Sequence, residues 1–236
     1  MNIRLYHPNS IVENSTSLLS KEHTHYIVNV LRLKRGSKIN FFNEYGEWKS
    51  EIIFLDRNRV EVKFLNKIKE VKKLNNIQLA ICLVKKNPLE NIFQKATELG
   101  VSKIIPLISD RTEVKDINYE RAKKIVIEAT EQSNQLVPPT ISDMIKLKNF
   151  LESLDQSTKL LFADINSKNN LDIKDFKEAK SLCVLIGPEG DFTPKERETI
   201  LSRTNTIPFS LSNNILRADT ATISAISLIN FVLSDH

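Results

Sequence analysis

Alternating apolar and polar positions mark short strands in the first third of the chain. Within residues 59–65, valine and phenylalanine alternate with charged residues, which is the pattern of a strand with one buried face. Two more strands are predicted over residues 37–42 and 47–55, and polar turns separate all three. An apolar stripe with helical spacing follows Ser20, a residue type that caps helices. These features predict a small β-barrel interrupted by one helix.

Beyond residue 72, apolar runs alternate with segments of helical periodicity. The runs predict buried strands at residues 77–84, 101–108, 159–163, 182–186 and 207–211. Helices are predicted to begin after the caps Asn87 and Thr193 and to span residues 119–135 and 220–233. Strands that alternate with helices predict an α/β domain with a mainly parallel sheet. We therefore predict two domains, residues 1–72 and residues 73–236.

The charge distribution divides the chain at the same place. Residues 1–73 hold 14 Lys and Arg against 8 Asp and Glu, whereas residues 74–236 hold 20 against 21. A basic excess confined to one part is expected if that part binds a polyanion such as RNA, and a solvated lysine-rich surface is the alternative. The first residues lack the apolar region of a secretory signal, and no apolar run reaches membrane-spanning length. We expect a cytoplasmic protein without a membrane partner.

Cysteine and histidine usage adds little chemistry. Cys82 and Cys183 each lie inside an apolar run, which favours reduced thiols in the core over a disulfide. The four histidines have no cysteine nearby at ligand spacing, so no metal is expected.

Two of the five glycines are the first and last residues of one tetrapeptide, Gly187-Pro188-Glu189-Gly190, which directly follows a predicted strand. Glycine supplies backbone conformations closed to other residues and permits close ligand approach, so the tetrapeptide predicts a ligand-facing loop. An ordinary strand-to-helix turn is the alternative. The chain has no dinucleotide fingerprint, no phosphate-binding P-loop and no nucleophile elbow, which disfavours the common nucleotide enzymes and hydrolases.

Four stretches, in order and at suitable distances, resemble the ribosomal RNA small subunit methyltransferase E family. They are residues 25–36, residues 94–101 with Pro106, residues 128–133 with Pro139, and residues 185–192 followed by residues 211–221. Members of this family methylate N3 of a uridine in small-subunit (16S) ribosomal RNA. The resemblance implies a PUA-like β-barrel for RNA over residues 1–72 and a SPOUT methyltransferase domain over residues 73–236, whose chain end is threaded into a trefoil knot.

The resemblance also implies a pocket for S-adenosyl-L-methionine, built by loops of the knot near the subunit interface of a homodimer. The implied cofactor-binding residues are Phe162, Leu185, Ile186, Gly187, Pro188, Glu189, Gly190, Leu211, Ser212, Asn213, Ile215 and Leu216. Residues 162–164 match the family loops more weakly than the others. Methyl transfer from a sulfonium is a direct displacement that depends on positioning and electrostatics, so no metal is required.

Methylation at N3 of uracil requires that a proton leave and that negative charge on the base oxygens be stabilised. Arg217 is the leading candidate for the cation, and Glu189 and Glu131 are candidates for the acid or base. A salt bridge that holds the knot is the alternative role for Arg217, and pairing along a helix face is the alternative for Glu131. The RNA-binding candidates of the barrel are Arg4, Arg32, Lys34 and Arg35, for which solvated charge is the alternative.

Several positions depart from the family pattern. Glycine is usual at Asn134, Asp191 and Ser212, arginine at Gln135 and Asn214, and glutamate at Asp219. The loss of two arginines favours an alternative function, that of a non-catalytic RNA-binding ribosome-assembly factor that kept the fold. A nucleotide-dependent oxidoreductase rests on fold class alone and ranks third. Whether the RNA partner is naked RNA or the assembled small subunit stays open.

Overall fold

The computed structural model describes residues 3–71, 76–172, 174 and 179–234. Contacts divide the chain into two compact units, one made of Met1–Lys73 with Thr130–Val137 and the other of Leu74–Ala129 with Pro138–His236. The predicted domain boundary at residue 72 lies outside the described residues and stays a prediction. The sequence pattern did not predict that Thr130–Val137 belongs to the first unit.

The first unit is built on a five-stranded sheet with the order β1-β3-β4-β5-β2. The strands are β1 (Arg4–Tyr6), β2 (Thr16–Leu18), β3 (Lys38–Asn43), β4 (Gly46–Leu55) and β5 (Val60–Lys69). β1 pairs with β3 in parallel, and the other pairs are antiparallel. The inward positions bury one core that includes Phe41, Trp48 and Phe64. The three predicted strands are confirmed, and the edge strands β1 and β2 were not predicted.

The helical segment of this unit starts where the sequence predicts and then changes form. α1 (Lys21–His25) begins after Ser20, whose hydroxyl oxygen accepts a hydrogen bond from the backbone N–H of His23 at 3.1 Å. A π-helical turn, Tyr26–Val30, follows, and such turns occur frequently at functional sites. The turn ends at Val30, and Arg32, two residues later, has a left-handed φ of 52°. The segment therefore places Arg32, Lys34 and Arg35 at the surface.

The second unit is built on a parallel sheet with the order β12-β10-β11-β6-β7-β8, and β9 also pairs with β7. The strands are β6 (Ile77–Cys82), β7 (Lys103–Ile108), β8 (Thr140–Ile141), β9 (Ile145–Lys146), β10 (Thr158–Ala163), β11 (Ser181–Ile186) and β12 (Thr206–Phe209). Every pairing in this sheet is parallel. The predicted α/β class with a mainly parallel sheet is confirmed, whereas β8 and β9 were not predicted.

Helices cover both faces of this sheet. They are α2 (Lys86–Glu98), α3 (Tyr119–Gln132), α4 (Leu147–Ser153), α5 (Pro194–Leu201) and α6 (Ala218–Ser234). Residues of α2, α3 and α6 share one apolar cluster with one sheet face, and residues of α4 and α5 share a second cluster with the other face. Within the described parts of the chain, no helix combines the length and apolar character that crossing a bilayer requires.

Both cysteines are core residues, as predicted. Cys82 and Cys183 are free, fully buried and part of the second apolar cluster. Burial raises the pKa of each thiol to about 12, because a thiolate would lose its solvation there. Neither thiol is therefore a nucleophile at neutral pH.

Of the two helix caps predicted for the second unit, one is confirmed and one is wrong. Thr193 and Glu196 form a capping box at the start of α5. In contrast, α2 begins at Lys86, its N-cap is Lys85, and no side chain caps it, so Asn87 is a helical residue. Proline, which lacks a backbone N–H, is tolerated anywhere in the first turn of a helix, because the backbone N–H groups of that turn have no acceptor within the helix. Pro88 is therefore compatible with the earlier start.

Asn134 explains one departure from the family pattern. It is exposed and has a left-handed φ of 61°, a conformation that glycine adopts freely and that asparagine tolerates better than other residues. We expect Asn134→Ala to lower the free energy of unfolding by about 0.5–1 kcal/mol and Asn134→Gly to change it by at most about 0.5 kcal/mol. Urea denaturation of both variants measures the difference. Equal stability of the two variants would contradict the backbone explanation.

Candidate functional site

A cavity of about 400 Å³ lies where three neighbouring strands of the parallel sheet end. β12, β10 and β11 are adjacent, and ligands of parallel α/β sheets bind beyond the carboxyl ends of the strands. The loops after these strands and the first turn of α6 form the walls. The lining residues are Ala163, Asp164, Ile165, Ile186, Gly187, Pro188, Glu189, Asp191, Leu211, Ser212, Asn214, Ile215, Leu216, Arg217, Ala218 and Ala221. This volume is typical of a small-molecule site.

The loop after β10 contributes a buried carboxylate, Asp164. Its side chain is 3% exposed, and Arg197 of α5 donates to Oδ2 from Nη2 at 2.7 Å and from Nε at 3.1 Å. The backbone N–H of Asn166 also donates to Oδ1 at 3.0 Å. Asp164 is therefore held as a fixed hydrogen-bond acceptor in the cavity wall. Residues 162–164 matched the family loops only weakly, and the pair itself was not predicted, because Arg197 lies 33 residues away and no local spacing reveals it.

The loop after β11 holds the Gly-Pro-Glu-Gly tetrapeptide in a tight turn. The backbone N–H of Asp191 donates to the carbonyl of Pro188 at 3.0 Å. Neither glycine of the tetrapeptide has a left-handed φ. The residue of this loop with a left-handed φ is Asp191, at 59°. The expectation that these glycines supply special backbone angles is therefore wrong. Gly187 has a different constraint, since an added Cβ would lie 3.0 Å from the buried ring of Phe192, which would have to shift to admit it.

The loop after β12 and the start of α6 bring a cation to the cavity. Arg217 lines the cavity and is exposed. Within the described part of the chain its guanidinium has neither an ion pair nor a hydrogen bond, so the salt bridge considered as its alternative role is not found there. Glu189, which is also exposed in the wall, likewise has no partner among the described residues. Two unpartnered groups of opposite charge therefore face one cavity.

The predicted cofactor residues divide into those that line the cavity and those that support it. The lining ones are Ile186, Gly187, Pro188, Glu189, Leu211, Ser212, Ile215 and Leu216. Phe162 and Leu185 are buried in the core, where the ring of Phe162 packs edge-to-face on Phe192 at 5.7 Å between centroids. Gly190 lines an adjacent cavity, and Asn213 is exposed between two lining residues.

Two other predicted site residues belong to the first unit and are engaged there. The side chain of Arg4 is 8% exposed, pairs with Glu47 at 3.2 Å, and donates to the carbonyls of Glu131 and Gln135 at 3.0 and 2.7 Å. The Glu131 carboxylate accepts a hydrogen bond from the backbone N–H of Tyr6 at 2.9 Å. The Arg4 guanidinium is therefore engaged within the first unit, and its contact with RNA stays a prediction. The catalytic role of Glu131 stays a prediction.

The remaining RNA candidates are accessible. Arg32, Lys34 and Arg35 are exposed at the end of the π-helical turn. Their RNA contacts stay a prediction, and the exposed side chains are compatible with phosphate binding.

Three of the departures from the family pattern, Asp191, Ser212 and Asn214, lie in the cavity wall. Asp191 occupies a position whose left-handed backbone suits the usual glycine, and aspartate is among the few other residues that tolerate it. Asn214 stands where arginine is usual, so the wall carries one cation fewer there. The substitutions therefore change the charge of the cavity and leave its backbone intact.

Comparisons with known proteins match both units. Residues 70–230 match a family described as RNA methyltransferase domain, and residues 19–65 match one described as RNA methyltransferase PUA domain. The chain is 36% identical to ribosomal RNA small subunit methyltransferase E of Rickettsia conorii, over 99% of this chain and 96% of that protein. The enzyme of the same name from Bacillus subtilis is 30% identical, over 94% of this chain and 92% of that protein.

Solved structures agree with the sequence matches. A ribosomal RNA small subunit methyltransferase E from Neisseria gonorrhoeae, bound to S-adenosyl methionine, has a TM-score of 0.88 and 25% identity, and the match covers 98% of each chain. A protein from Legionella pneumophila in complex with the bound cofactor SAM has a TM-score of 0.86 and 28% identity, again over 98% of each chain. Both similarities extend over the two units described above.

Proposed function

The chain belongs to the ribosomal RNA small subunit methyltransferase E family, and we therefore propose that it transfers a methyl group from S-adenosyl-L-methionine to N3 of a uridine in small-subunit (16S) ribosomal RNA. The cavity at the ends of β10, β11 and β12 carries this proposal. Its walls come from the loops that match the family, and two unpartnered charges, Arg217 and Glu189, face it.

The chemistry of the cavity walls fits this methyl donor. Apolar side chains, among them Ile186, Leu211 and Leu216, offer a surface for the adenine ring and the methylene groups. Glu189 presents a carboxylate, and Asp164, which is paired with Arg197, presents acceptor oxygens, to a ligand that carries hydroxyl, ammonium and sulfonium groups beside its own carboxylate. S-adenosyl-L-methionine supplies an electrophilic methyl group on a positively charged sulfur and leaves as a neutral thioether. The mixed polar and apolar wall therefore suits the groups of the donor, and the cavity volume suits its size.

Two side chains of the cavity would act on the base. The Glu189 carboxylate accepts the proton from N3, directly or through a water molecule, so that the nitrogen lone pair can form the new bond to carbon. The Arg217 guanidinium stabilises the negative charge that develops on the neighbouring base oxygens. Neither role requires a metal, because the donor carbon is already activated by the sulfonium.

The proposal includes partners and location. The basic first unit binds the RNA through Arg32, Lys34 and Arg35, in naked RNA or in the assembled small subunit, and the protein acts in the cytoplasm. It acts as a homodimer, which the 86% exposure of Ile215 beside the cavity and the 63% exposure of Phe231 on α6 support, since large exposed apolar side chains are common at interfaces.

A non-catalytic RNA-binding assembly factor is the second candidate, and Asn214 favours it because this cavity residue replaces a usual arginine. Isothermal titration calorimetry with S-adenosyl-L-methionine separates the two functions. We expect saturable binding with one site per chain. If titration with S-adenosyl-L-methionine gives no detectable heat, and S-adenosylhomocysteine shows no binding either, the result would support the assembly factor.

A further inference from the structure

A second cavity, of about 410 Å³, lies beside the first at the same edge of the sheet. It is formed at the carboxyl ends of β6 and β7, which neighbour β11 in the sheet order. Pro188 and Glu189 line both cavities, so the tetrapeptide loop is a shared wall. We infer that this second cavity receives the target uracil and that Arg111 binds one oxygen atom of the base. The inference rests on the proposed function, since it places the substrate of that reaction.

Hydrogen bonds from Arg111 and its neighbours in the loop after β7 fix the position of Arg111. Its Nη1 donates to the carbonyl of Gly190 at 2.9 Å, and the backbone N–H of its neighbour Asp110 donates to Glu196 Oε1 at 2.8 Å. The Ser109 and Thr112 hydroxyls are 2.9 Å apart and close the turn behind it. A guanidinium has five N–H donors, and the carbonyl of Gly190 is its one partner among the described residues. Most of its donors thus remain available to a ligand.

The charges around the cavity select the ligand class. Lys85 and Arg111 supply two cations, whereas Asp110, Glu113 and Glu189 supply three carboxylates. A free phosphate or another small anion would meet more negative than positive charge, so an anion site is disfavoured. Leu83, Val84 and Val114 add an apolar wall for a flat ring. The lining thus suits a neutral, planar ligand that both donates and accepts hydrogen bonds.

Uracil meets this description, because its N3–H donor lies between two carbonyl acceptors. A carboxylate flanked by a guanidinium is the complementary arrangement. With the base in the second cavity, Glu189 on the shared wall accepts the N3 proton and Arg111 donates to O2 or O4. The bond from N3 to carbon then forms as the bond from sulfur to that carbon breaks, and the proton passes from the carboxylate to water.

Arg111→Gln tests the assignment, with Arg111→Lys as the conservative variant and Arg121→Gln on α3 as the matched control. For Arg111→Gln we expect kcat/KM for unmethylated small subunits to fall about 100-fold, because a donor to the charge of the transition state is lost, while the Kd for S-adenosyl-L-methionine changes less than about threefold. Lysine keeps the positive charge but lacks the planar guanidinium with its several donors, so kcat/KM of Arg111→Lys should fall about tenfold. The control should match the wild type.

A photocrosslink provides a readout that needs no turnover. With 4-thiouridine at the target position of an RNA fragment and no methyl donor present, the crosslinked peptide should contain residues 83–85 or 110–114. A crosslink to residues that do not line the second cavity, or wild-type kcat/KM for Arg111→Gln, would overturn the inference and leave the methyltransferase standing. Equal losses of donor affinity and kcat/KM would make Arg111 a support of the Gly190 loop and would also overturn it. Failure of the wild-type protein to methylate would remove both proposals.

Discussion

Arg217→Ala should reduce the turnover number by about 100- to 1,000-fold, the range observed when a donor to a developing oxyanion is removed. The guanidinium lines the donor cavity, is exposed, and has no partner among the described residues, so its removal breaks no internal contact. The affinity for S-adenosyl-L-methionine should therefore change less than about threefold, because the lost interaction forms only with the reacting base. Single-turnover kinetics and calorimetry on the same preparation measure the two effects.

Two controls make the Arg217 result interpretable. Arg217→Lys should retain part of the turnover, because lysine keeps the positive charge but lacks the planar guanidinium that can donate two hydrogen bonds at once. Lys148→Ala removes an exposed cation from α4 and should leave turnover unchanged. A parallel loss of donor affinity and turnover in Arg217→Ala, or a large fall in its melting temperature, would instead make Arg217 a structural residue.

Gly187→Ala should damage the donor cavity, whereas Gly190→Ala should not. At Gly187 an added Cβ would lie 3.0 Å from the Phe192 ring, which is buried and packed against Phe162 and therefore has little room to move. We expect a loss of about 1–3 kcal/mol in stability, the usual cost of overpacking a core. Since the displaced loop lines the cavity, donor affinity should fall about tenfold or more, if about 1.4 kcal/mol of that strain acts on binding.

Gly190 is the matched position in the same loop. Its added Cβ would lie 3.6 Å from Arg111 Cβ, which is an ordinary contact, and its backbone is not left-handed. Donor affinity and melting temperature should therefore stay close to those of the wild type in Gly190→Ala. Calorimetry and thermal unfolding of the two variants provide the comparison. Equal effects at both glycines would show that the shape of the loop, and not the Phe192 contact, sets the requirement for glycine.

Local signals in the sequence were sufficient for most elements of the fold. The capping box at Thr193 was predictable because its two members are three residues apart and act on each other. The start of α2 was misplaced because Pro88 is compatible with any position in a first turn. The short elements β8, β9 and α4 were missed, since two to seven residues carry too little periodicity to detect.

The candidate site depended on more than local pattern. Gly187-Pro188-Glu189-Gly190 alone fitted a turn as well as a ligand loop, and the family resemblance supplied the link to the loop after β12. That link is consistent with the structure, in which both loops line one cavity. The pair of Asp164 with Arg197 and the engagement of Arg4 were beyond sequence reasoning, because both depend on residues brought together across long separations.

The central claim is methylation of N3 of one uridine in small-subunit ribosomal RNA. The most direct measurement incubates the protein and S-adenosyl-L-methionine with small ribosomal subunits from cells that lack the activity, and then maps the modified nucleotide by mass spectrometry. We predict one new methyl group, on N3 of a single uridine of the 16S RNA. Absence of new methyluridine, or a methyl group on another atom or base, would contradict the assignment.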